Sequence, residues 1–177
     1  MGTVSPELTD KLKDEFPEMY EGIKNEKFRR EPIYYGFTCD DGWFNIIRDF
    51  SVKYQQYINT LSPELKQEYK IYQVKEKFGR LVIYAAPYND ATIRALVEEA
   101  GREASDTCEK CGAKDAVLRP DIGWVRTLCD SHYLEKKAGI QKNFSEEEIK
   151  SMYEMLNGSG TFKQVKHRFL ITRKEVN

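Results

Sequence analysis

Four side chains in two close pairs constrain this chain more than any other feature. Cys108 and Cys111 stand three apart, and Cys129 and His132 repeat that interval after a gap of seventeen residues, giving C-x2-C-x17-C-x2-H. The chain has four Cys and two His in 177 residues, so most of its soft donors fall into one pattern. Two intervening residues let one tight turn aim both sulfurs at a single ion, and three thiolates with one imidazole suit tetrahedral Zn2+. Four protein ligands leave no open position for water or substrate, so the expected role of the zinc is structural. The competing view treats the thiols as unrelated small hydrophobes, which accounts for a buried cysteine but not for the spacing.

The residues around the ligands describe a finger. Gly112, directly after Cys111, permits the positive φ that a knuckle needs. Ala116–Leu118 and Trp124–Leu128 read as short strands joined by Pro120-Asp121-Ile122-Gly123, a turn sequence. From Cys129 the chain reads as helix, with Gly139 as its stop, so Cys129 and His132 lie one turn apart. Knuckle, hairpin and ligand-bearing helix over 108–139 make a treble-clef-like finger.

Upstream, Ser5-Pro6 and Ser62-Pro63 are helix starts with Pro at the first helical position. Asp40-Asp41-Gly42 is expected to cap a long helix, because Trp43, Ile46, Ile47, Phe50, Tyr54, Tyr57, Ile58 and Leu61 form one stripe at helical period. Residues 70–76 and 80–86 are β-rich runs around Lys77-Phe78-Gly79. Leu81-Val82-Ile83-Tyr84 lacks alternation, which predicts a strand covered on both faces. Asn89-Asp90 caps a helix with Ile93, Leu96, Val97, Ala100 and Ala104 on one face, and this helix leads straight into Cys108. The expected fold class is therefore α+β: a small antiparallel sheet packed with helices in 1–107, an integrated finger in 108–139, and a C-terminal helix and basic tail in 140–177, all one folding unit.

Composition narrows function by exclusion. Residues 1–107 carry 15 Lys+Arg against 19 Asp+Glu, and 108–177 carry 13 against 10, an imbalance too small to argue nucleic-acid binding alone. No apolar run approaches membrane length, no signal peptide is evident, and cysteines in metal spacing with Cys39 single point to a cytoplasmic protein. There is no Walker loop or dinucleotide fingerprint, so no small-molecule ligand is indicated. A nuclease of the His-metal type needs a free His as base, but His132 belongs to the metal quartet and only His167 remains.

Two stretches mix bases with aromatics. The first holds Arg29, Arg30, Tyr34, Tyr35 and Phe37, and the tail holds Lys163, Lys166, Arg168, Arg173 and Lys174. Either can be a partner surface, for a protein or, together with Arg119 and Arg126, for nucleic acid. The plainer alternative is a core-packed loop and a solvated face.

The runs Val74–Tyr84 (VKEKFGRLVIY), Cys108–Gly112 (CEKCG) and Gly123–His132 (GWVRTLCDSH) resemble a family of bacterial and phage (prophage) proteins with KFGxLxxY, CExCG and GWxxTLCxxH motifs. The resemblance spans roughly residues 40–135. It implies the zinc ligands and an integrated domain, and it carries over no catalytic residue. Phage provenance implies a small non-enzymatic protein acting on a host protein, for example as an inhibitor of host defence.

Overall fold

The computed structural model describes residues 2–143; the tail residues named above, and His167, lie outside them. The chain divides into two compact units, the first ending at Tyr133 and the second beginning at Leu134.

The described residues are α+β. Helix α1 (Pro6–Glu15) starts at Pro6 as expected, and two 3-10 turns (Glu26–Phe28 and Pro32–Tyr35) carry the chain to the two-residue strand β1 (Phe37–Thr38). Then come α2 (Phe44–Ile58), the single turn α3 (Pro63–Lys66), β2 (Lys70–Lys77), β3 (Arg80–Ala86), α4 (Ala91–Ser105), β4 (Val117–Arg119), β5 (Arg126–Leu128) and α5 (Asp130–Asn143). Strands β1-β2-β3 form one sheet and β4-β5 a second. The β2–β3 and β4–β5 pairs are antiparallel, while β1 adds a short parallel edge, with Phe37 opposite Val74.

The apolar stripe of α2 is the centre of the core. Trp43, Ile46, Ile47, Phe50 and Tyr54 are buried, against Leu12, Tyr20 and Phe37 in the same cluster. Burying such side chains contributes about 1.5–3 kcal/mol each. Three local expectations give way. Asp40-Asp41-Gly42 does not cap α2, because a 3-10 turn at Asp41–Trp43 intervenes and Asp40 is committed elsewhere. Gly139 does not stop α5, which continues to Asn143. In β3, Leu81, Ile83 and Ala85 are buried while Val82 and Tyr84 are only half-buried, so the strand alternates after all. The Lys75 ammonium lies over the Tyr84 ring at 5.2 Å, so that second face carries a cation instead of a packed layer.

The β2–β3 turn is tight. Pairing continues to Lys77 opposite Arg80, leaving only Phe78 and Gly79 between the strands. Both have positive φ, 53° and 74°, the signature of a type I′ hairpin, whose first position favours Asn, not Phe.

Candidate metal centre and its seam with the core

The knuckle closes by backbone bonding. The Cys108 N–H donates to the Ala113 carbonyl at 2.8 Å, the Gly112 N–H donates to the Cys108 carbonyl at 2.8 Å, and Gly112 has φ 77°. The Glu109 N–H donates to the Thr127 carbonyl at 3.0 Å and ties the knuckle to β5. Strand β5 delivers Cys129, and the first turn of α5 delivers His132. The four donor atoms of Cys108, Cys111, Cys129 and His132 all lie within 4.8 Å of one another and can bind a metal ion. His132 Nδ1 is 3.6 Å from Cys108 Sγ and 3.2 Å from Cys129 Sγ, and Cys111 Sγ is 3.9 Å from Cys129 Sγ. Cys108 is buried, Cys129 half-buried and Cys111 exposed.

The donors are electrostatically unequal. The His132 backbone N–H, followed by the His132 ring and the neighbouring thiols, brings the Cys129 thiol down to about 7 against burial. Burial pushes the Cys111 thiol up. Cys39 belongs to no such group: burial, then the charges of Glu109, Asp40, Asp41 and Glu76, raise its thiol far above the ordinary range.

The finger is built into the core through a polar seam. The Gly42 N–H donates to the Glu109 carbonyl at 2.8 Å, and Trp43 Nε1 donates to the Thr107 carbonyl at 2.8 Å. Arg126, with a side chain 13% exposed, reaches both Glu109 (3.0 Å) and Asp40 (2.5 Å). Glu109 in turn accepts from the Asp40 N–H. Burial pushes the Glu109 carboxyl up, and Arg126 only partly offsets it. Beside this triad, Glu76 accepts from the Gly79 N–H (2.6 Å) and from Trp124 Nε1 (2.9 Å), and Thr127 Oγ1 donates to the Gly79 carbonyl (2.6 Å). The KFG, CEKCG and GWVRTLC runs therefore meet in one place, and their polar residues satisfy one another.

The partner-binding candidates scatter. Arg29 and Arg30 are exposed, with Arg29 3.7 Å from Glu26. Tyr34 is half-buried and donates to Glu26, while Tyr35 is 69% exposed and packs edge-to-face on Tyr34. Phe37 is not a surface residue: it is 1% exposed, because β1 lays it opposite Val74 and against Tyr20. Arg119 and Arg126 are not available to phosphates either; Arg119 pairs with Asp130 and covers the Tyr133 ring, and Arg126 is held in the seam. Sequence reasoning missed Glu76 and Glu109, which look like solvated acids. It also missed Phe78, an apolar side chain 57% exposed, whose only sequence signal is an aromatic residue where a turn wants Asn.

No family model, curated protein or solved structure matches the chain.

Proposed function

We propose that this is a zinc-stabilised, non-enzymatic binding protein that acts on a protein partner. Around Zn2+, with Zn–S about 2.3 Å and Zn–N about 2.0–2.1 Å, tetrahedral geometry sets sulfurs about 3.8 Å apart and sulfur about 3.5 Å from nitrogen. The separations of 3.9, 3.6 and 3.2 Å in the quartet fit that set. Four donors fill the shell, and the conspicuous motif residues are spent on joining finger to core. That is the observation that carries the reading. The carboxylates of the seam are tied to Arg126, Trp124 and backbone amides.

The binding surface we favour is the β2–β3 turn and the adjoining edge of β4. Phe78 holds a backbone conformation that costs an aromatic residue about 1–2 kcal/mol, yet its side chain faces solvent. Val117 and Leu118 are also exposed, and Leu118 abuts the same turn: a Cβ on Gly79 would lie 2.4 Å from its Cδ1. Exposed aromatic and aliphatic side chains of this kind serve as anchors in protein interfaces. The resemblance to bacterial and phage proteins supports a phage- or prophage-encoded protein with a host protein as its target.

The test is a pull-down from bacterial lysate with the tagged full chain, with and without nuclease, beside the same protein carrying Phe78→Asn. A stoichiometric band that survives nuclease and is lost with Phe78→Asn supports the proposal. Bound material absorbing at 260 nm and removed by nuclease replaces it with nucleic-acid binding.

A further inference from the structure

A cavity of about 340 Å³ opens between residues 18–33, the C-terminal half of α2, and residues 66–72. None of its lining residues belongs to the metal quartet or the seam. The volume falls in the range of small-molecule sites, roughly 300–1,000 Å³. Its apolar surface comes from Met19, Phe28, Ile33, Ile58 and Ile71, so the site is not a polar surface dimple.

The charged lining is segregated by segment. Glu18, Glu21 and Glu31 all come from 18–33, and Lys66 and Lys70 both come from 66–72. Among the described residues, none of these three carboxylates takes part in an ion pair. Tyrosines add to the lining. The β2–β3 register slips between Ile71 and Gln73, leaving Tyr72 as the extra residue of a bulge, and Tyr72 lines the cavity. Bulges are over-represented beside binding sites, where they re-aim a side chain. Tyr54 also lines it, with its hydroxyl buried out of contact with solvent.

We propose that this cavity binds a small zwitterion with an aromatic or apolar body, of the class an aromatic amino acid represents. Its ammonium faces the glutamates of 18–33, its carboxylate faces Lys66 and Lys70, and its body packs on Phe28, Ile58 and the tyrosine rings. A ligand of one charge leaves one of the two walls unanswered, which is why the zwitterion is favoured over an amine or an acid.

The test is calorimetry on the full chain with its metal, using L-phenylalanine, phenethylamine and 3-phenylpropionate as probes. L-phenylalanine is expected to bind one site, with each singly charged probe about tenfold weaker or worse. The sets Glu18→Gln/Glu21→Gln/Glu31→Gln and Lys66→Gln/Lys70→Gln should each cost a similar factor. Ile58→Trp, which fills the cavity, should abolish binding, and Glu98→Gln on the exposed face of α4 should leave it unchanged. No binding of L-phenylalanine at millimolar concentration overturns the proposal. So does equal binding of all three probes, or binding indifferent to both charge-removing sets.

Discussion

Gly42 and Glu109 are joined backbone to backbone, and there is no room between them for a side chain. A Cβ on Gly42 would stand 2.2 Å from the Cys108 carbonyl oxygen, 2.5 Å from that of Glu109 and 2.5 Å from the Gly112 nitrogen. All three are backbone atoms, which cannot swing aside. Gly42→Ala is therefore expected to cost about 2–3 kcal/mol, although Ala is ordinarily a mild replacement. Urea unfolding measures it, and a loss under about 0.5 kcal/mol, the scale of a neutral surface change, would show that the seam yields.

Arg126 holds two half- to fully buried carboxylates at once. Arg126→Gln leaves Glu109 and Asp40 facing each other without a cation, for an expected loss of about 3–5 kcal/mol. Replacing the exposed Arg29, paired only at the surface with Glu26, should change stability by less than about 1 kcal/mol. Parallel denaturation of the two variants checks the contrast.

Removal of the metal should reach the core. Trp43 is buried in the α2 cluster and bonded to Thr107, one residue before the first thiol, so its fluorescence reports on the core side of the seam. With Trp124→Phe to silence the finger, chelation is expected to lower the Trp43 melting temperature by at least about 10 °C, and Cys108→Ser to do the same. An unchanged Trp43 transition would confine the metal's role to the finger. In the same experiment Cys111 should react with a thiol reagent on chelation, while the buried, high-pKa Cys39 should wait for unfolding.

Asp90 gives the fold an acid-sensitive joint. Burial pushes its carboxyl up, but donation from Tyr69, the Ile93 N–H, Tyr57 and the Thr92 N–H outweighs burial and holds it below the usual carboxylate range. A group depressed in the folded state stabilises above its unfolded pKa, about 3.9 for Asp, and loses that contribution as pH falls through the folded value. Asp90→Ala should cost about 1–2 kcal/mol at neutral pH and less in acid, so the two stability curves should converge below pH about 4. Curves that stay parallel through that window would rule the linkage out.

Phe78 should trade stability against binding. Phe78→Asn puts the preferred residue into the first position of a type I′ turn and gives up little burial, so a gain of about 1 kcal/mol is expected. Loss of the partner in the same variant would show that the turn is kept strained for the sake of its exposed ring.

The metal quartet was legible because ligand chemistry demands particular residue types at fixed intervals. The α2 stripe was legible because a 3.6-residue period admits one buried face. The seam was not. Asp40 and Arg126 are 86 positions apart, and Glu76 and Trp124 are 48, so no local pattern announces that these acids are buried. Phe37 was misjudged for a related reason. It follows two 3-10 turns whose faces carry no period, and only its place opposite Val74, in a strand two residues long, turns it inward. Likewise the run Leu81–Tyr84 could not reveal that Val82 and Tyr84 stay half-buried, with the Lys75 ammonium over the Tyr84 ring.

The long sequence separation of the seam also fixes an order of events on the ribosome. The α2 core and the β2–β3 hairpin are made first, but Gly42 and Trp43 find their partners, and Glu76 its Trp124 donor, only when residues 107–127 follow. Until then Trp43 lacks its lid and the Gly79 carbonyl its donor. The donors of the quartet emerge later still, with His132 last. A metal ion held by the quartet would thus be captured after nearly all of the first unit is synthesised, and would act as the latch on a chain waiting half-closed.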